Sequence, residues 1–488
     1  EFDDYAEDYP HAGMPFGLPN LHRQEYRTLV HWIAQGAPVE DELQPSAAAM
    51  QQVRDWEAFL NQKSDDIGEQ NRFSLVSRYL YEHLFQAHLH FTGAGDREFY
   101  RLVRSYTPPD EQPVVIATRR PYGDVGYDVY YRLVRHQGSV VDKQHQVYSL
   151  SDQRMRRLRE LFYETEYQVE SLPSYEPHVA SNPIKAFADI PVSSRYRFLL
   201  DDAQFFIEGF IKGPVCRGQV ALNVIEDQFW AAVFDPDAPV ASNDDDFLRA
   251  NADLLATPSE LEDTFRVLSV HLHYRSLFRE YVREREKPVL DNEPRDVEQA
   301  MKYIWDGGGK TNPNAALTIF RHTDSASVSY GWQGDYPETA WIIDYSILER
   351  IHYLLVAGFD VYGNLGHQLT TRLYMDFLRT EGENYFLALL PVETRKQLIA
   401  QWYQGIRKSN RDDQGDVQWI NKELVNAYRT DDPQRELYQH IEARLGKLAG
   451  DGDYINRCTD GCDQPDDSDQ ARAYRAMRSA TGIGGSSV

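Results

Sequence analysis

Met14 is the residue whose type and surroundings point most directly to chemistry. It lies in the loop Gly13-Met14-Pro15-Phe16-Gly17-Leu18-Pro19. Thioether sulfur is a soft axial ligand for haem iron and raises its potential. Pro15, Gly17 and Pro19 would fix the loop so that the sulfur projects rigidly. The bland reading of the same residues is a surface-loop methionine beside an ordinary helix. No Cys-x-x-Cys-His occurs in the 488 residues, so haem has no covalent attachment site in this chain. A second cluster gathers at His352, Tyr362 and His367, where the glycine-rich stretch Tyr362-Gly363-Asn364-Leu365-Gly366 precedes His367. Glycine lets backbone approach a ligand closely, which makes these three the catalytic candidates. Apolar helices also hold satisfied structural histidines.

Other patterns carry less. His-Leu-His occurs twice, at His88/His90 and His271/His273. On a strand such a pair shares a face; on a helix the two stand about 200° apart and cannot share a metal. Both segments read as helical, so a site would need one histidine from each. Gly307-Gly308-Gly309-Lys310-Thr311 resembles a phosphate loop but has Ile304 where glycine is needed and Asn312-Pro313 where a helix should begin. A turn is the better account. No carboxylate pair, Gly-x-Ser-x-Gly elbow or His-Glu-x-x-His supports hydrolase chemistry, and no metal site is expected. Cys458 and Cys462 are spaced for neither a redox centre nor haem attachment. They form a small disulfide loop or remain thiols, and Cys216 reads as a core residue.

The elements that must position these residues follow from periodicity. Lys and Arg number 51 against 76 Asp and Glu, a net charge of −25. That field disfavours nucleic acid and anionic headgroups as partners. No run of 18 apolar residues exists, so no transmembrane helix is expected. The chain starts at Glu1 rather than Met, as expected of a processed or truncated chain. Helices are expected at Leu21 to Gln35, Gln44 to Lys63 and Phe73 to Phe91. Strands are expected at 114–118, 127–134 and 144–150, followed by a helix capped by Ser151 that runs to Phe162. Further expectations are a helix over 195–212, strands at 220–225 and 228–234, helical stretches at 247–285 and 295–305, and a hairpin formed by 316–321 and 327–332. The rest is mostly helical, with a flexible tail. No internal repeat is apparent. The fold class expected is α+β, a predominantly helical body with one or two small antiparallel sheets.

Longer blocks carry a resemblance. Gly13 to Pro19 followed by the helix and Trp32 to Pro38 looks like the back half of a c-type cytochrome. Together with Pro121 to Tyr127, Phe205 to Arg217, Gln228-Phe229-Trp230 and Ile343 to Thr371, it resembles the bacterial fatty acid cis/trans isomerases. The similarity runs in the same order over nearly all of the chain. It implies a periplasmic c-type haem enzyme that turns cis double bonds of acyl chains to trans. The substrates implied are membrane phospholipids or free unsaturated fatty acids, the iron assists without net redox, and the outcome is membrane adaptation in a stress response. The partners implied are unsaturated acyl chains at the membrane surface. Family members carry a signal peptide and a Cys-x-x-Cys-His segment, and this sequence has neither. Met14 alone carries over, as an axial ligand of haem c. The domains expected are 1–42, the C-terminal part of a cytochrome c-like module; 43–470, an α+β isomerase body; and 471–488, a tail. The alternative reading is a non-catalytic periplasmic acyl-chain-binding body attached to an electron-transfer cytochrome.

Overall fold

The sequence around residue 23 specifies a helix with defined ends. In the computed structural model α1 spans Arg23–Ala34. His22 caps it: its ring accepts from the Gln24 N–H, and Glu25 reaches back to the His22 N–H at 2.9 Å. At the other end Gly36 adopts φ +83°. Its N–H bonds the carbonyl of Ile33 and that of Ala37 bonds Trp32, a Schellman closure. The structure describes residues 4, 7–8, 22–37, 45–95, 97–126, 128–138, 140, 145–212, 228–260, 267–289, 296–321, 326–359, 365–402 and 428–450. The chain divides into two units, Glu1–Ser46, which holds α1, and Ala47–Val488.

The second unit begins with α2 (Ala47–Leu60) and α3 (Ile67–Leu84), followed by strands β1 (His88–Phe91), β2 (Tyr100–Ser105), β3 (Tyr130–Arg135) and β4 (Val147–Leu150). These form a sheet of order β3-β2-β1-β4. Helices α4 (Asp152–Phe162), α5 (Val192–Asp201) and α6 (Ala203–Lys212) lead to β5 (Gln228–Val233). After α7 (Val267–Val289) come β6 (Ala316–Arg321), β7 (Ala326–Tyr330) and β8 (Ala340–Ile343), which complete a second sheet of order β7-β6-β5-β8. Helices α8 (Tyr345–Gly358), α9 (Leu365–Ala388), α10 (Val392–Trp402) and α11 (Pro433–Leu445) follow.

The two sheets share one connectivity. Three strands form an antiparallel meander, and a fourth returns parallel beside the first. Each fourth strand runs into a helix through a capping residue. Ser151 accepts from the Arg154 N–H at 3.0 Å, and Asp344 accepts from the Ile347 N–H at 2.8 Å. The repetition is one of topology; the sequence carries no matching repeat. The fold is α+β as expected, but each sheet is mixed rather than purely antiparallel. A strand that returns after a long excursion can add beside the first strand in the parallel sense.

Several elements differ from the periodicity. The stretch Phe73 to Phe91 is a helix only to Leu84; His88 to Phe91 then pairs with Val147 to Leu150. Tertiary pairing overrides the helical pattern there. Val114 to Thr118 makes a single bridge, Ser105 with Val115, rather than a strand. The helix expected over 195–212 is two helices, broken at Asp202, whose carboxylate takes hydrogen bonds from Tyr148 and Arg154. The region 247–285 holds a short helix at Asp245–Ala250 and 3-10 turns before α7. The strand expected at 220–225, all three cysteines and the C-terminal tail lie outside the described residues.

Helix α8 is the centre of the second unit. Every residue from Tyr345 to Ala357 is buried. Ile347, Leu348, Ile351 and Leu354 each contribute about 1.5–3 kcal/mol by leaving water. Glu349 and His352 are buried in the same helix, and burial of such groups costs stability unless partners are supplied. Those partners come from α3.

Candidate active site

Helix α3 presents Tyr79, Glu82 and His83 at helical spacing, and α8 presents Tyr345, Glu349, His352 and Tyr353 at the same spacing. The two polar stripes interlock. His83 Nε2 lies 2.6 Å from Glu349 Oε1, and the Tyr79 hydroxyl donates to Glu349 Oε2 at 3.2 Å. His83 Nδ1 lies 2.8 Å from the Tyr79 carbonyl, which can only accept, so this nitrogen carries a proton. The short contact ties the His83 ring to the Glu349 carboxylate. The Tyr353 hydroxyl donates to Glu82 Oε2 at 2.5 Å, and Arg78 Nε donates to Glu82 Oε1 at 2.8 Å.

Charge is disposed to favour an ionised Glu349. Burial opposes ionisation, but the His83 ring and the Arg195 guanidinium outweigh it and hold the carboxyl below the usual range. His352 is the opposite case. Burial, and then the neighbouring His83, lower its pKa to about 3, so the ring is neutral. His352 Nε2 donates to the His83 carbonyl at 2.7 Å, which leaves Nδ1 as an unprotonated nitrogen. That nitrogen is buried and has no hydrogen-bond partner. The ring stacks on His83 and meets the edge of Phe206, with centroids 5.5 and 4.8 Å away.

The other sequence candidates fall in different places. His367, in the first turn of α9, places its Nε2 2.8 Å from the carbonyl of Gly358, at the end of α8. Gly358 follows His352 by six residues, about 9 Å along the helix axis. The two histidines thus hold different parts of the backbone. Tyr362 lies outside the described residues, as does Met14. The His-Leu-His segments do not form a joint site. His88 and His90 stand on strand β1, not on a helix, and His88 contacts His145 and His136. His271 lies on α7 and stacks on Phe377 at 5.2 Å. Among the described residues no group of three His, Cys, Asp or Glu is placed to hold a metal ion. Gly307 to Lys310 forms a turn in which Asp306 accepts from the Gly309 N–H, and it leads through Pro313–Ala315 into β6. Sequence reading passed over His83, Glu349 and Glu82. The available signal was the recurrence of polar residues three and four apart within otherwise apolar helices.

Haem requires apolar surface and an axial donor. Helix α1 meets the first requirement: Tyr26, Leu29, Val30 and Ile33 form one stripe, and all four are exposed. An apolar group laid along that stripe would remove it from water. The donor implied by the resemblance is Met14.

In the second unit, one cleft of about 380 Å³ is bordered by Val179, Ile184, Lys185, Asp189 and Arg249. Another of about 210 Å³ lies where Arg78 ends the polar seam. Both mix charged with apolar side chains. No helix among the described residues is long and apolar enough to cross a membrane.

No curated protein and no solved structure gives a significant match to the chain. The family described as fatty acid cis/trans isomerase (CTI) matches residues 1–485. A match over essentially the whole chain, blocks from both units included, places this protein in the fatty acid cis/trans isomerase family, as an enzyme that interconverts cis and trans double bonds of fatty acids.

Proposed function

We propose that this chain turns cis double bonds to trans in the acyl chains of membrane phospholipids or free unsaturated fatty acids, in the periplasm, with haem assistance and no net redox. The observation that carries the reading is the family match over residues 1–485. Rotation about a carbon–carbon double bond requires loss of its π component, which thermal motion does not achieve at useful rates. The chemistry a bound haem supplies is transient withdrawal of that electron density and its return. Met14 would hold the iron as axial ligand, and the exposed stripe of α1 would cover an apolar face.

The remaining work falls to the chain's own side chains. Taking a sixteen-carbon tail from a bilayer forfeits roughly 12 kcal/mol at about 0.8 kcal/mol per CH₂, unless apolar protein replaces the lipid. The buried seam between α3 and α8 contributes positioning. His352 and His367 each tie a ring nitrogen to a backbone carbonyl, and the contact of His83 with Glu349 locks α3 to α8. A conversion of this kind stiffens a membrane, which fits an adaptation to solvent or heat stress.

The test uses the protein and its Met14→Ala variant. The expected result is a shifted haem absorption spectrum together with lost turnover of a cis-unsaturated phospholipid. An unchanged spectrum and normal turnover would remove Met14 from the reaction.

A further inference from the structure

The 210 Å³ cleft is bordered by the end of α2, α3 from Gln70 to Arg78, the start of β3, and Leu172, Pro173 and Tyr175. Arg78 is part of its lining and is 4 % exposed. Its Nε is taken by Glu82 and its Nη1 by the Pro173 carbonyl at 3.1 Å, and its face lies 4.0 Å over the Tyr175 ring. Nη2 is buried and has no hydrogen-bond partner. A buried guanidinium N–H is costly to leave unmade, because the group keeps its charge at any working pH.

Tyr131 also lines the cleft, and no described residue bonds its hydroxyl. Burial first, then Tyr175 and Glu82, push its ionisation well above the ordinary phenol value, so the O–H remains a donor. The carboxylate nearest Arg78 is Glu82, on its Nε, which leaves the Nη2 edge of the guanidinium and the Tyr131 hydroxyl as donors. Lys63 and Asp128 at the cleft offset each other.

We propose that this cleft receives the head of the acyl substrate, a singly charged anion with two free oxygens bound by Arg78 Nη2 and the Tyr131 hydroxyl. A fatty acid carboxylate and a phospholipid phosphodiester share that chemistry. The volume suits a head and not a sixteen-carbon tail, and the chain leaves across Leu172, which lines the cleft and is half exposed. The assignment rests on the reading of the protein as an acyl-chain isomerase.

The test is calorimetric titration of the full chain with octanoate, octanol and dihexanoylphosphatidylglycerol. All three are saturated, so binding is read whether or not the preparation turns over an unsaturated chain. Octanoate or the short phospholipid should bind at least tenfold more tightly than octanol, and whichever binds identifies the source of the anion. Tyr131→Phe and Arg78→Lys should each weaken that binding about tenfold, the worth of one charge-assisted hydrogen bond. Tyr131→Phe removes only a hydroxyl, so the test survives if Arg78→Lys fails to fold. Absence of binding, equal binding of octanoate and octanol, or binding indifferent to Tyr131→Phe would overturn the assignment.

Discussion

Acidification should destabilise this protein through His352. An ordinary histidine takes up a proton near 6.5, whereas buried His352 does so at about 3. Between those values the unfolded chain binds a proton that the folded chain does not, so stability falls as pH falls from 6.5 towards 3. At pH 5 the deficit is 1.5 units, and at about 1.36 kcal/mol per unit this one ring removes about 2 kcal/mol. The assay is urea unfolding followed by tryptophan fluorescence at pH 8 and pH 5, for the parent and for His352→Phe. Phenylalanine keeps an aromatic ring against Phe206 and has no proton to take up. It should cost stability at pH 8, since the bond to the His83 carbonyl is lost, yet show a pH-dependent loss smaller than the parent's by about 2 kcal/mol. Equal losses in the two proteins would refute the claim that His352 is held neutral in the fold.

Other outcomes follow from the same geometry. Glu349→Gln removes the buried carboxylate that His83 and Tyr79 bond and should destabilise the fold by about 3–5 kcal/mol. The double variant His83→Phe/Glu349→Leu should lose less than the sum of its singles in a thermodynamic cycle. The stabilisation from ionised Glu349, whose carboxyl is held below its ordinary 4.5, is present above that value and declines as pH drops beneath it, read by acid titration of ellipticity. Gly307→Ala puts a Cβ 2.5 Å from Leu448 Cδ1 and 2.6 Å from the Asn312 carbonyl at φ +77°, and should lower the melting transition by an amount equivalent to about 1–3 kcal/mol.

Local chemistry made some elements legible in the sequence. Ser151 announced the start of α4, Gly36 marked the end of α1, and the failed phosphate-loop pattern at 307–311 correctly pointed to a turn. What the sequence hid was set by distant partners. His88 to Phe91 reads as the end of a helix until Val147 to Leu150 pairs with it, and no local spacing shows that a fourth strand will return parallel. The candidate site was half visible for the same reason. His352 stood out as a histidine in an apolar helix, but His83 and Glu349 acquire meaning only when α3 and α8 meet, 266 residues apart in sequence. The long blocks shared with the isomerase family pointed to the activity, since they need no knowledge of packing.

The central claim is rotation about the double bond without its saturation. Incubation of the protein with cis-9-hexadecenoate in deuterated water, followed by gas chromatography with mass detection, tests it most directly. The account predicts trans-9-hexadecenoate without deuterium on carbon and without hexadecanoate. Deuterium at the former double-bond carbons, or a saturated product, would contradict it.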